Sequence, residues 1–362
     1  MRILRLLLVI LLLIGSVVPV WGAELPEELT DALPADAEQL LDGLNGEFSD
    51  HDSLVEGFTL LWDSARGYFS ELLRENFGSL VLLLGVVLLC GVMEELHRTA
   101  EQEKTDLVPM AGALAITTLS VGNFRSLIGM GVETIDRLDL FAKTLLPTLS
   151  AAVAAGGGVV TASMAQVATV YFANVLISLI RSVLLPLTGC YIAAALADAV
   201  LPGHDLKRIR TGIAKAVTWG LTGLLMVFTG FLKLTGSAGS AADSTAAHLT
   251  RSTISAAVPV VGGIISEATE TVTTGAGLLK STIGIFGTLG IFSICLVPFV
   301  HLAVQYLLYK LTAFLASTVG SEPLIKLIDA LGTVFGLILG MAGACAMLLL
   351  IAVISSVSVV VT

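Results

Sequence analysis

The chain has 362 residues, 55% of them hydrophobic and only 13% charged, with a mean hydropathy of +0.93. Soluble domains carry about a quarter charged residues, so this composition excludes an ordinary soluble fold, and a net charge of −10 excludes a basic nucleic-acid binder. The negative charge is concentrated: residues 24–75 hold 14 Asp and Glu against two Arg, while the rest holds 15 acids against 17 bases.

Arg2 and Arg5 precede an unbroken apolar run over 6–14, followed by Gly15, Ser16, Pro19, Gly22 and Ala23. A basic start, a short apolar core and a small-residue end predict a cleavable signal peptide over 1–23. The run is too short to span comfortably as a helix, although an uncleaved anchor is the rival reading. Cleavage after Gly22 or after Ala23 stays open. Residues 24–76 read as a short acidic extracytoplasmic segment. Within it, Ser53 and Glu56 have the spacing of a capping box. Leu54, Phe58, Leu61, Trp62, Ala65, Phe69 and Leu72 then recur at steps of three or four. An amphipathic helix over 53–75 is predicted, its apolar face suited to a membrane surface, a partner or the protein's own membrane domain.

From 77 to 361 the chain reads as an all-α, polytopic transmembrane bundle of about six spans. These lie near 77–93, 107–123, 165–200, 216–235, 283–309 and 331–361. The first covers roughly 26 Å as a helix, just enough for the hydrocarbon core. Residues 125–143 differ: Ile128, Val132, Ile135 and Leu138 line one face, and Glu133–Arg137 and Asp139–Lys143 are acid-before-base pairs at helical spacing. They read as an amphipathic helix at the interface or docked on other helices. The apolar stretch 165–200 is too long for one straight span. Arg181 and Pro186 interrupt it, leaving open a single kinked helix or a span plus a re-entrant half. Lys207, Arg208, Arg210 and Lys215 belong in the cytoplasm by the positive-inside rule, which places the amino-terminal segment and the carboxyl end outside.

No phosphate-binding loop, dinucleotide fingerprint or HExxH pair is present. The five His are scattered, and Cys90, Cys190, Cys295 and Cys345 all fall in apolar runs, where they read as packing residues. No enzyme, cofactor or metal site is expected. Ionisable groups inside spans are costly and often functional. Arg181 is the deepest candidate, with Asn174 on roughly the same face and Asp198 a candidate partner across a kink. They read as a polar lining to a pathway or, on the plainer view, as an internal ion pair or a snorkelling side chain. His301 and Gln305 share a face with Tyr309 and suit interhelical hydrogen bonding better than a proton relay. Gly284, Gly287 and Gly290, and Gly332, Gly336 and Gly340, repeat at steps of three or four. Such faces let helices approach closely.

The order of these features resembles the stage III sporulation protein AE family of endospore-forming bacteria. The likeness rests on the signal, the acidic helix before the first span and the segment Leu145-Leu-Pro-Thr-Leu-Ser-Ala-Ala-Val-Ala-Ala-Gly-Gly. The run over 270–280 into Ser281-Thr-Ile-Gly, the Pro298 span and Ser321-Glu-Pro-Leu-Ile-Lys-Leu-Ile-Asp complete it. The resemblance implies a non-enzymatic membrane core or export-gate component of a secretion-like channel, or feeding tube, between mother cell and forespore. It implies the mother-cell membrane around the forespore as location, with the acidic segment in the intermembrane space. Ring proteins, an ATPase and a forespore membrane protein are the implied partners, besides the lipid bilayer; nucleic acid is not one. A stand-alone secondary transporter of a small solute, using Arg181, His301 and the Gly-rich breaks, is the alternative from another class.

Overall fold

The computed structural model describes residues 27–41, 51–99, 107–155, 158–200, 206–257, 262–318 and 321–358. Among these there is no strand. Two short helices come first, α1 (Glu27–Thr30) and α2 (Ala35–Leu41), the latter with Asp36 and Glu38 in its first turn, where acids complement the helix dipole. Five long helices and one interrupted helix follow: α3 (His51–Thr99), α4 (Leu107–Ala155), α5 (Val159–Leu179) running through a π-helical turn (Ile180–Leu184) into α6 (Leu185–Val200), α7 (Lys207–Ala257), α8 (Gly262–Ala316) and α9 (Glu322–Ser358).

Six of these stretches are long and apolar enough to cross a membrane: Val55–Leu96, Val108–Ala155, Val159–Val200, Lys207–Thr235, Ser281–Ala316 and Glu322–Val357. The chain is thus an all-α, multi-pass membrane protein. The signal-peptide expectation falls on residues outside the described ones.

The helices run further than the apolar windows. The amphipathic stretch 53–75 and the span 77–93 form one 49-residue helix, and 107–123 continues without a break through 125–143. Helix propagation adds one hydrogen bond per residue whatever the polarity of the outer face, and no proline stands at either junction, where single glycines (Gly78, Gly122) are tolerated. Pro147 sits inside α4 with its side chain exposed, and the helix ends only at the glycines that begin at Gly156. The open choice over 165–200 resolves as one continuous helical run. Pro186 lacks an N–H and its ring crowds the carbonyl four residues back. The chain meets this with a wider turn just before it, in which the Leu185 N–H donates to Ile180 O.

Helices α8 and α9 form the centre. They pack antiparallel across a short turn, with 67% and 61% of their most apolar windows buried. Helix α3 packs on α8, α4 on both members of this pair, and α5, α6 and α7 on α9. Phe335 of α9 stacks on Phe124 of α4 with ring centres 4.7 Å apart, and Tyr309 of α8 meets Phe335 edge-on at 5.2 Å. Helix α3 runs parallel to α8, since Phe58 meets Phe292 at 4.8 Å and Asn76 meets Gln305 further along both helices. The apolar stripe of α3 is split: Leu61 and Leu72 are buried against the bundle, whereas Trp62 points outward. The acidic segment docks too. Leu29, Leu33 and Ala37 are buried in the cluster that holds Phe141 and Leu145 of α4 and Leu289 of α8.

Candidate functional site

The polar side chains of the bundle fall into three separate groups. At the α6–α7 junction, Asp198 accepts from the Arg210 guanidinium at 2.6 Å and from the Leu206 N–H at 3.1 Å. Both ionic side chains are only 9% exposed, and Arg210 also reaches the Lys326 carbonyl of α9 at 3.5 Å. Asp198 is therefore not the partner of Arg181. Arg210, in the first turn of α7, reaches it across the α6–α7 junction, while Arg181 lies on the far side of Pro186.

Half-way up the bundle, the Arg181 guanidinium, carried by the π-helical turn, donates to the Asp136 carboxylate of α4. Both side chains are about half exposed. Asn174, two turns earlier, is exposed and makes no hydrogen bond among the described residues. The α4 charges beside this pair are also engaged. Arg137 forks onto Asp36 of α2 at 2.8 Å and Glu133 at 2.9 Å, and Lys143 meets Asp139 at 2.7 Å. A bidentate guanidinium fixes geometry as well as charge, so Arg137 ties the acidic segment to the membrane domain.

Along α8, Gln305 donates from Nε2 to Asn76 Oδ1 of α3 at 2.7 Å, and the Tyr309 hydroxyl donates to Ser120 Oγ of α4 at 2.9 Å. His301, on the same face, is half-buried and has no hydrogen bond among the described residues. Lys310 reaches across to α9, donating to the Asp329 carboxylate at 2.6 Å and to the Thr333 hydroxyl at 2.9 Å. The buried Thr134, Thr188 and Thr312 each donate to the carbonyl four residues earlier, which satisfies a hydroxyl without a partner helix.

The glycines sit where helices touch. A Cβ on Gly287 would stand 2.8 Å from Leu145 Cδ1, and one on Gly290 would stand 2.7 Å from Phe141 Cζ and 3.3 Å from Leu33 Cδ2. Gly284 faces Val357 more tightly still. On α9, Gly332 faces Tyr309 at 3.1 Å and Gly336 the Tyr306 ring at 3.2 Å, while Gly340 has only Leu221 at 4.0 Å. Sequence reasoning missed Gly112, against Leu324 and Cys90, and Gly131, against Ile338. Neither belongs to a run of regularly spaced glycines. It also missed the Asp136, Asp36 and Asp329 partners, because no local spacing joins residues on different helices. Among the described residues, no group of three or more His, Cys, Asp and Glu could hold a metal ion.

Comparison with known proteins places this arrangement. The profile of stage III sporulation protein AE matches residues 49–360. The chain belongs to the stage III sporulation protein AE family. The stage III sporulation protein AE of Bacillus subtilis (strain 168) is 23% identical over 316 residues, covering 86% of this chain and 75% of that protein. No solved structure matches. For this member of the stage III sporulation protein AE family, the match takes in all the long helices, and its role belongs to sporulation.

Proposed function

We propose that this protein is a membrane-embedded core or export-gate component of a channel complex linking mother cell and forespore. It is set in the mother-cell membrane around the forespore, with its cleaved amino-terminal segment in the intermembrane space. The observation that carries this reading is the interior of the bundle. It is mostly apolar, its one ion pair buried on both sides among the described residues is Asp198–Arg210, and the Arg181–Asn174 stretch, Asp198 and the His301–Gln305 face belong to separate groups rather than to one track. Such an interior suits a part that works through its outer surfaces. A stand-alone transporter needs its polar groups to converge on a substrate site near the bilayer midplane. The six glycines on α8 and α9 act as packing positions for helices, and the docked acidic segment offers its outer acids and aromatics, including Trp62, to ring proteins.

Affinity purification of the protein from sporulating cells in mild detergent, with identification of what co-purifies, tests the reading. Recovery of the ring, ATPase and forespore-membrane partners is expected. A lone protein that binds a small solute would overturn the assembly role and favour the transporter.

A further inference from the structure

The first turns of α7 carry Lys207, Arg208, Thr211, Gly212 and Lys215 around an open concavity of about 430 Å³. Gly212 makes room for it, with open space where a Cβ would stand. No acid lines it. Of the carboxylates near α7, Asp198 is held by Arg210 and Asp329 by Lys310, while Glu322 pairs with Lys326 at 2.8 Å and also feels the charge of Lys207. Arg208 and Lys215 are exposed and free of ion pairs among the described residues.

What lies further along the same face gives this basic hollow its meaning. Trp219 follows Lys215 by one turn and is 77% exposed. Beyond it the exposed side chains are mostly apolar, with Met226, Val227 and Leu234 well exposed and Lys233 near the far end. Cation, indole and hydrocarbon succeed one another along a single helix, which is the order of phosphate, interface and acyl layers in a leaflet. A guanidinium presents a planar fork of donors that fits phosphate oxygens, and a lysine adds a mobile point charge.

We propose that this concavity binds the phosphate of an anionic lipid headgroup in the leaflet where α7 begins. Arg208 and Lys215 hold the phosphate, the Thr211 hydroxyl donates to it, and the acyl chains run past Trp219 along Met226 and Val227. A free phosphate-bearing solute shares the headgroup chemistry, but it gives no use to Trp219 or to the apolar stripe above.

The test uses the full chain, purified in mild detergent, delipidated and titrated with phosphatidylglycerol or phosphatidylcholine under native mass spectrometry. Phosphatidylglycerol adducts are expected at several-fold lower lipid concentration than phosphatidylcholine adducts. The preference should vanish in the Arg208→Gln/Lys215→Gln variant and persist in Lys233→Gln, which removes an exposed cation near the far end of the apolar stripe. Gly212→Leu fills the hollow without changing charge and should also abolish the preference, which keeps the test open should the charge variant fail to fold. Equal retention of both lipids by the parent, or a preference that survives Gly212→Leu, would overturn the proposal. Millimolar inorganic phosphate that displaced phosphatidylglycerol completely and bound the lipid-free chain would overturn the lipid as its source.

Discussion

Asp198 and Arg210 are the one ion pair, among the described residues, with both side chains nine-tenths buried. Burying two charges is expensive, and their mutual attraction offsets that cost only while both are present. Asp198→Leu is therefore expected to destabilise the protein by about 3–5 kcal/mol, because it leaves a guanidinium buried without its counter-charge. Asp198→Leu with Arg210→Met should recover most of the loss. Thermal unfolding of the four members of this cycle in detergent checks it; a single variant as stable as the parent would mean that water reaches the pair. The pairing was not legible in the sequence. Arg210 stands in a basic run that reads as loop charge, and only the return of α7 beside α6 turns that one member inward. Arg181 carries the opposite lesson: its depth in an apolar stretch was plain, but its partner Asp136 is 45 residues earlier, on another helix.

Helix interfaces here depend on backbone approach, since lipid is as apolar as the side chains and supplies no hydrophobic drive between helices. Gly287 faces Leu145 with no room for a branched side chain. Gly287→Val is expected to cost about 1–3 kcal/mol through overpacking. Gly122→Ala, where nothing lies within 4 Å, should be neutral or stabilise by up to about 1 kcal/mol through helix propensity. Detergent-solution melting temperatures of the two variants should move apart; similar shifts would mean that α4 and α8 are not in contact at this level. The glycine runs of α8 and α9 were visible as a pattern, and so were the apolar windows. The helix lengths were not, because a change from apolar to charged composition looks like a boundary in sequence and is none for the backbone. The π-helical turn was half visible: Pro186 marks a disturbance, but whether the chain bends, breaks or widens depends on what α4 and α7 pack against it.

For the molecule as a whole, the number of crossings was legible and their arrangement was not. The apolar windows in α3 and α8 are equally rich, yet 17% of one and 67% of the other is buried. Hydropathy cannot separate a helix that faces lipid from one that faces protein, since both need apolar surfaces. Orientation follows from charge. With the native cysteines replaced, single cysteines at Arg66 on α3 and Arg208 on α7, both exposed, are expected to label from opposite faces of the membrane with an impermeant maleimide. Position 66 should react from outside in intact cells and position 208 only after permeabilisation. Labelling of both from one side would remove the positive-inside assignment, and with it the acidic segment's access to the intermembrane space.

The central place of α8 and α9 also has a bearing on biogenesis. A ribosome delivers this chain from the amino terminus, so the four outer crossings enter the bilayer before the two around which they pack. During that interval the sides of α3 to α7 that will meet α8 and α9, including Phe124, Phe141 and Leu221, lack those partners. Completion of the core must therefore wait until Glu322–Ser358 has been made, and nascent chains stalled before it are the form that quality-control proteases would meet.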